Sequence, residues 1–309
     1  MAWACAVMAV GMGTAQATAA PANTGQPGSS CAPAVDGGFA YTPEGGVTTN
    51  GLGAGAPAYY EIGAPSGRYA GMRPKAIMLV IHGGAWYIVG KEAVAQWGRP
   101  MADRWRAAGW QTVDVDYRAC SQSVADVAWF MQRLRTLHPH GVICATGSSA
   151  GGHLAMLLAT MRPDLACAIS YAGPTDLLGL DHQYSTDAVG RWSDSGPKSL
   201  SNYAIAAFGA SRSARARNSP LQLVGGVRAR VLLATGQTDP LVPGAQDAAF
   251  AKALRTARAG AYVDVLSLPP GDQYFVHTYV TSQSLQQLRL REDALVAPLL
   301  PRSQIGPGG

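Results

Sequence analysis

Hydrophobic and polar positions follow two patterns that alternate along most of the chain. Short continuous apolar runs, such as AIMLVI at 76–81, are typical of strands that are buried on both faces of a sheet. Between them lie longer segments whose apolar residues recur every three or four positions, as in amphipathic helices. The predicted strands are 76–84, 111–118, 141–148, 165–173, 227–236 and 261–269. The predicted helices are 94–109, 124–138, 149–161, 244–260 and 282–296.

The alternation of strands and helices predicts the fold class. It indicates an α/β protein with a mostly parallel central sheet and helices on both faces. Residues 41–300 are long enough to form this as a single domain, and no second domain is expected. Residues 174–226 break the rhythm, because they are polar and contain no clear strand. We expect them to form a small irregular cap over the sheet.

The two ends of the chain have different compositions from the middle. Residues 1–20 have a short apolar stretch followed by AQA and TAA, which resemble cleavage sites, and predict a secretory signal peptide. Residues 21–40 are rich in Pro, Gly, Ser and Ala and predict a flexible linker, and 301–309 predict a disordered tail. The protein is therefore expected to be secreted or periplasmic, without an integral membrane segment once the signal is removed.

The charge of the chain limits the classes of partner that it is expected to bind. The 24 Lys and Arg residues against 19 Asp and Glu give a net charge of +5, and this surplus is spread along the chain. No basic run is interleaved with aromatic residues, so we predict no nucleic-acid partner. The oligomeric state is not readable from the sequence.

The cysteines allow disulfides in an exported chain. Cys5 would leave with the signal peptide, so that Cys31, Cys120, Cys144 and Cys167 remain. Cys144 and Cys167 lie on strands that are expected to be neighbours, where a bridge and two buried thiols are both reasonable. Cys31 with Cys120 would be the other pair.

The stretch ATGSSAGGHLAMLLA at 145–159 is the strongest chemical signal. A serine at a sharp turn from strand to helix needs very small residues two positions before and two after it, because larger side chains would collide. Ser149 has Gly147 and Gly151 at these positions, whereas Ser148 has no glycine at either. Ser149 is therefore the candidate nucleophile, at a helix N-terminus that favours developing negative charge.

A second motif, HGGAW at 82–86, follows the first strong strand. Consecutive glycines at the end of a strand leave backbone N–H groups open to a ligand. The N–H groups of Gly83 and Gly84, with that of Ala150, are the candidate oxyanion hole. We expect His82 to hold this loop and Trp86 to contact substrate.

These motifs resemble those of the α/β-hydrolase superfamily, in the esterase/lipase group that carries a His-Gly-Gly motif before the nucleophile. Asp116-Tyr117-Arg118 with Asp126 is similar to a segment of that group, as is Ser-Ala-Gly-Gly-His at 149–153. The resemblance covers about residues 75–280. It implies an α/β-hydrolase fold with catalytic residues in the chain order Ser, acid, His.

The chain order Ser, acid, His identifies the candidate for the catalytic base. Of the six histidines only His277 lies after the last pair of predicted strands. His138 and His140 precede the nucleophile, His153 lies one helical turn beyond it, and His182 precedes every suitable acid. The group often has a glycine before this histidine, whereas the chain has YFVHTY at 274–279.

The acid is expected after the strand at 227–236. Asp239 lies there in GQTDPLVP at 236–243, which is similar to a segment of the group. Asp272, five residues before His277, is the alternative. Asp247 falls within a predicted helix and Asp264 within a predicted strand, so neither is favoured.

Together these residues predict a serine carboxylester hydrolase with the triad Ser149, Asp239 and His277. The scattered apolar residues of the cap favour short-acyl or aryl esters, free or borne by a polymer, and acetylated or feruloylated polysaccharide is one target that the resemblance implies. The reaction requires no metal or organic cofactor. The alternatives are a serine peptidase, a lipase or polyester depolymerase of the same fold, and an inactive binding protein on a hydrolase scaffold.

Overall fold

The computed structural model describes residues 47–49, 51–53, 55–181 and 197–300. The predicted signal peptide, linker and tail, together with Cys31 and His182, lie outside the described residues. Within the described part, no helix has both the length and the apolar character needed to cross a membrane.

The central sheet has eight strands in the order β1-β2-β4-β3-β5-β6-β7-β8. They are Val47–Thr48 (β1), Tyr60–Gly63 (β2), Ile77–Ile81 (β3), Gln111–Val115 (β4), Ile143–Ser148 (β5), Cys167–Tyr171 (β6), Arg230–Gly236 (β7) and Val263–Leu268 (β8). Strands β3 to β8 are parallel to one another, which confirms the predicted sheet. The short edge strands β1 and β2 are antiparallel and were not predicted, because the glycine-rich sequence around them shows no apolar run.

Eight helices were assigned in the described part of the chain. They are Lys91–Ala93 (α1), Arg99–Ala107 (α2), Gln122–Leu137 (α3), Ala150–Met161 (α4), Pro197–Phe208 (α5), Arg212–Arg217 (α6), Ala245–Ala257 (α7) and Ser282–Val296 (α8). A π-helical turn, Val94–Gly98, joins α1 to α2 immediately before Pro100. The single helix predicted for 94–109 is therefore divided into this π-helical turn and α2.

Hydrophobic side chains are buried on both faces of the sheet, because alternate residues of β3 belong to two different clusters. Leu79 and Ile81 face one cluster together with Phe130 of α3 and Phe250 of α7. Val80 faces the other cluster, to which α2 and α8 contribute. Helices therefore cover both faces, and the two sides of the sheet are closed by different helices.

Most of the described part of 174–226 is helical, which corrects the prediction of an irregular cap. Helices α5 and α6 and a 3₁₀ turn, Pro220–Gly226, fill most of 197–226, while 182–196 lie outside the described residues. The buried face of α5 has Leu200, Ala204 and Phe208, spaced four residues apart. The helical period was missed because small and polar residues separate the few large apolar ones.

Two further features lie next to the sheet. Cys144 and Cys167 are register partners on β5 and β6 and form a disulfide, with a Cα–Cα distance of 4.6 Å. After β8 the chain forms an antiparallel hairpin of Pro270–Phe275 (β9) and Thr278–Val280 (β10), which sequence reasoning had treated as a loop. Phe275 pairs with Thr278, so the connection has only the two residues Val276 and His277.

Candidate active site

Ser149 occupies the turn between β5 and α4. Its φ of +53° and ψ of −121° lie outside the regions that L-residues usually adopt. The Ser149 N–H donates to the carbonyl oxygen of Tyr171 at the end of β6, at 2.8 Å. The strained serine is thus tied to the neighbouring strand, and its side chain lines a cavity.

The two flanking glycines are required sterically. A Cβ on Gly151 would lie 2.1 Å from the Ile81 carbonyl oxygen and 2.4 Å from that of His82. A Cβ on Gly147 would lie 2.4 Å from the Gly151 backbone. These distances confirm the reason given for choosing Ser149 over Ser148.

His277 and Asp239 are brought together from separate elements. His277 Nδ1 lies 3.0 Å from Oδ2 and 3.2 Å from Oδ1 of Asp239. The Asp239 side chain is 1% exposed, and its Oδ1 also accepts the backbone N–H groups of Leu241 and Val242 at 2.8 and 2.9 Å. The alternative acid, Asp272, is exposed on β9. The turn after β7 therefore holds a carboxylate in the orientation that a histidine partner needs.

The hairpin loop places Val276 directly before His277, where the group that the motifs resemble often has glycine. Val276 has a φ of +51°, a left-handed conformation of the kind that two-residue hairpin loops require. The Tyr274 hydroxyl donates a short hydrogen bond to the Val276 carbonyl oxygen. This bond stabilises a backbone that is unfavourable for a β-branched residue, directly beside His277.

The glycine loop after β3 lies against the serine. A Cβ on Gly83 would be 3.4 Å from Ser149 Cβ, and Gly84 has a φ of +121°. Gly83 and Gly84 line the cavity with Ser149. Ala150 is the first residue of α4, where backbone N–H groups have no partner within the helix. The three predicted donor residues therefore surround the serine.

His82 and its neighbours fix this loop from beneath. The ring nitrogens of His82 lie 2.6 Å from the Gly83 carbonyl oxygen and 3.1 Å from Asp116 Oδ1. Tyr117 stacks on the His82 ring and its hydroxyl donates to the carbonyl oxygens of His82 and Gly83. His82 is fully buried, in agreement with the structural role predicted for it. Arg118 pairs with buried Asp126 on the other side of this segment.

Trp86 does not contact the cavity, which corrects its assignment as a substrate-binding residue. Its side chain is fully buried, and its Nε1–H donates to His153 Nδ1 at 3.0 Å. His153 Nε2 donates in turn to the Asn218 carbonyl oxygen at 2.7 Å. Burial lowers the pKa of His153 to about 4, so the ring is neutral at pH 7. Trp86 and His153 therefore link the glycine loop, α4 and the cap.

The catalytic candidates meet at one cavity of about 660 Å³. Ser149 and His277 both line it, and within the described residues no direct hydrogen bond joins their side chains. Leu200 and Tyr203 of α5 and Leu241 cover it from the cap side. Across the described ranges, no group of three or more His, Cys, Asp and Glu side chains is arranged to hold a metal ion.

The opposite wall of the cavity was missed by sequence reasoning. Residues on one face of α2 and of α8 form it. The wall residues are Pro100, Met101, Arg104, Trp105, Leu285, Leu288, Arg289 and Glu292. Their spacing of three and four residues was visible in the sequence, but the pattern does not say that the two helices face each other.

Two buried carboxyl groups lie near the site. The Asp247 side chain on α7 accepts a hydrogen bond of 2.6 Å from Thr235, and burial raises its pKa to about 7. Burial also raises the pKa of Glu292, although the neighbouring Arg104 opposes this. Asp247 was considered in the sequence only as a disfavoured catalytic acid and Glu292 was not singled out, because a single acidic residue within a helix is usually solvated.

Comparison with known proteins places the chain in a family. The BD-FAE family model matches residues 68–254, more than half of the chain, and the chain belongs to this family. It has the α/β-hydrolase fold. Esterase LipQ of Mycobacterium tuberculosis is 27% identical over an alignment of 233 residues that covers 66% of this chain and 51% of LipQ. The chain thus spans about half the length of this curated relative.

Solved structures share the fold at low sequence identity. Esterase 2 of Thermogutta terrifontis, phosphonylated by sarin, superposes with a TM-score of 0.60 at 20% identity, over 84% of this chain and 98% of that chain. A puromycin-hydrolyzing peptidase of Mycobacterium tuberculosis gives 0.59 at 17% identity, over 79% of this chain and 37% of that chain. The chain is therefore an esterase-like α/β-hydrolase in fold and family.

Proposed function

We propose that the protein is a serine carboxylester hydrolase with Ser149 as nucleophile, His277 as base and Asp239 as the acid that orients it. The observation that carries the proposal is the meeting of three independently built features at one cavity. These are the strained serine at its turn, the His277–Asp239 pair, and the glycine loop that lies against the serine.

The geometry supports these proposed roles. Asp239 accepts a hydrogen bond from Nδ1–H of His277, so Nε2 is the free nitrogen that can take the Ser149 hydroxyl proton. The serine oxygen attacks the ester carbonyl carbon and forms a tetrahedral intermediate. Backbone N–H groups of Gly83, Gly84 and Ala150 stabilise its oxyanion, and losing one such donor typically costs about 3 kcal/mol of barrier.

The second half of the reaction restores the enzyme. The intermediate collapses as the bond to the alkoxy oxygen breaks, and His277 gives its proton to the departing alcohol. Water then attacks the acyl-enzyme and loses a proton to His277. The acid is released when the serine oxygen leaves and is reprotonated. One ester and one water give one acid and one alcohol.

The substrate is proposed to be a short-acyl or aryl ester outside the cytoplasm, free or attached to a polymer such as a polysaccharide. A cavity of about 660 Å³ suits a small substrate. The Cys144–Cys167 disulfide and the predicted signal peptide support an oxidising, exported setting. The names of LipQ and of esterase 2 support ester chemistry.

The test is hydrolysis of 4-nitrophenyl esters of increasing acyl length by the full chain and by the Ser149→Ala and Ser148→Ala variants. We expect highest activity at acetate or butyrate, loss in Ser149→Ala and retention in Ser148→Ala. Activity that rises with chain length would indicate a lipase. Cleavage of aminoacyl 4-nitroanilides without ester cleavage would indicate a peptidase, and inactivity of the folded protein on both substrate classes would overturn the proposal.

A further inference from the structure

One end of the catalytic cavity is polar and charged, in contrast to its apolar cap side. Arg104 of α2 forms an ion pair with Glu292 of α8, and the Tyr171 hydroxyl donates to Glu292 Oε1 at 2.5 Å. The Glu292 side chain is 2% exposed, whereas that of Arg104 is 25% exposed. All three residues line the cavity. The carboxylate is thus a buried anchor, and the guanidinium is the group that remains accessible.

Hydrogen-bond donors at this end are unsatisfied. Arg104 Nε and Trp105 Nε1 are both buried and have no hydrogen-bond partner. The Arg104 guanidinium lies 4.9 Å above the Trp105 ring, so the two donors belong to adjacent, stacked groups. Both N–H groups are shielded from the cavity, so a ligand would meet the rest of the Arg104 side chain, which is 25% exposed.

The charges that line the cavity do not balance. They are Arg104, Arg289 and Glu292, and the wall has no other Asp, Glu, Lys or Arg among the described residues. Glu292 is paired with Arg104, and Arg289, one helical turn before Glu292 on the same face of α8, has no ion-pair partner in the described part of the chain. Arg289 is close enough to lower the pKa of Glu292 electrostatically. The residues that line the wall therefore have an excess positive charge.

We propose that Arg104 and Arg289 form a subsite for a carboxylate group of the substrate, so that the preferred substrates are esters that also carry an ionised carboxylate. This inference rests on the proposed ester hydrolysis. A carboxylate is the small anion whose two oxygens match the N–H groups of a guanidinium. Trp97 and Met101 continue the wall between Arg104 and the glycine loop, so the subsite and Ser149 share one cavity.

The substrates for the test are two isosteric pairs, because the carboxylate could belong to either part of the ester. Monoethyl glutarate and ethyl 5-methylhexanoate carry a carboxylate or an isopropyl group at the end of the acyl part. 4-Acetoxybutanoate and 4-methylpentyl acetate carry the same groups on the alcohol part. Hydrolysis is followed by pH-stat titration at neutral pH, with 4-nitrophenyl acetate as the common neutral substrate.

We expect kcat/KM for the acidic member of at least one pair to exceed that of its neutral partner by about tenfold, the effect of a charge-assisted hydrogen bond. High salt should reduce this preference because the subsite is open to solvent at Arg289. The Arg289→Gln variant should lose most of the preference, with a much smaller effect on hydrolysis of 4-nitrophenyl acetate. Arg291→Gln is the matched control, since Arg291 is exposed on the same helix and pairs with Asp264.

Arg104 is tested together with its partner, because Arg104→Gln alone would leave a buried carboxylate unpaired. The Arg104→Gln/Glu292→Gln double variant removes both charges and should abolish the preference while it still hydrolyses neutral esters. Equal rates within both pairs, or equal losses on acidic and neutral esters in Arg289→Gln, would overturn the subsite while neutral ester hydrolysis stands. Failure of the proposed function is distinct, because 4-nitrophenyl acetate would then not be hydrolysed either.

Discussion

The nucleophile side and the histidine side of the candidate site both hold a non-glycine residue at positive φ, but they do so by different means. Ser149 has a φ of +53°, and backbone contacts that only Gly147 and Gly151 permit surround it. Val276 has a φ of +51°, and a two-residue hairpin loop and the Tyr274 hydroxyl maintain it. The serine turn thus depends on the absence of side chains, whereas the histidine loop depends on added contacts. We therefore expect the first to tolerate no substitution and the second to weaken gradually.

The largest expected effect is a loss of kcat/KM when the carboxylate of Asp239, on the histidine side, is replaced. Asp239→Asn should lower kcat/KM for a short ester by about 10⁴-fold, because an amide no longer holds the imidazole in the required tautomer. Asp272→Asn, on the same hairpin as His277, should leave the rate within about twofold of the wild type, as is usual for an exposed substitution. Steady-state kinetics of both variants measure this, and a large loss in Asp272→Asn with none in Asp239→Asn would reverse the assignment of the acid.

The second-largest expected effect is a loss of stability caused by a steric clash at the turn around Ser149. Gly151→Ala places a Cβ 2.1 Å from the Ile81 carbonyl oxygen, and overpacking of this kind should cost about 3 kcal/mol of unfolding free energy. Gly225→Ala is the matched change, because a Cβ there meets nothing within 4 Å. Urea unfolding compares the two. Equal stability of both variants would show that the glycines around Ser149 are not required sterically.

Two buried groups, one on each side of the site, should make the free energy of unfolding depend on pH in opposite directions. The pKa of His153, behind the serine turn, falls from 6.5 to about 4 on folding, so its contribution to stability is lost as pH falls through this range. The pKa of Asp247, behind the Asp239 loop, rises from 3.8 to about 7, so its contribution is lost as pH rises through this range. The two contributions oppose each other between pH 4 and 7, and they amount to about 3 kcal/mol for His153 and about 4 kcal/mol for Asp247.

Single variants separate the two contributions. Asp247→Asn removes the contribution that opposes that of the histidine, and the unfolding free energy should fall more steeply than in the wild type as pH drops from 7 to 4. In His153→Gln the free energy should instead rise over the same interval. Denaturant unfolding at several pH values measures both curves, and identical slopes in the two variants would contradict the assigned protonation states.

The smallest expected effect comes from removing the Tyr274 hydroxyl on the β9–β10 hairpin. Tyr274→Phe removes the hydrogen bond to the Val276 carbonyl oxygen, which should cost about 1 kcal/mol and lower kcat several-fold, with little change in KM. Tyr279→Phe removes a hydroxyl from the neighbouring exposed ring and should leave kcat unchanged. If Tyr274→Phe lowered kcat as strongly as Asp239→Asn, the hairpin would not weaken gradually, and the contrast with the serine turn would be wrong.

The same contrast explains what the sequence could predict. The turn at Ser149 is fixed by neighbours within two residues, so a local pattern was sufficient to find it, and the continuous apolar strands likewise revealed the parallel sheet. The α2 and α8 wall depends on two segments that are about 190 residues apart and meet only in the folded protein. Their spacing indicated helices but not the cavity between them.

The errors have the same origin. Trp86 follows the glycine loop directly, and proximity in sequence suggested that it contacts substrate. The left-handed conformations of Ala85 and Trp86 turn the chain, and the Trp86 ring packs against His153 and Phe208 beneath the loop. Such a reversal depends on backbone conformation, which the residue types alone do not reveal. The helix α5 was missed because alanine and serine carry little hydrophobic signal.

The most direct test of the central claim is to identify the nucleophile covalently. The full chain is treated with a 4-nitrophenyl alkylphosphonate ester, digested, and analysed by mass spectrometry of the peptide that contains Ser148 and Ser149. We predict one adduct, on Ser149, which persists in Ser148→Ala and forms far more slowly in His277→Gln. An adduct on Ser148, or active ester hydrolysis with no adduct on this peptide, would contradict the account.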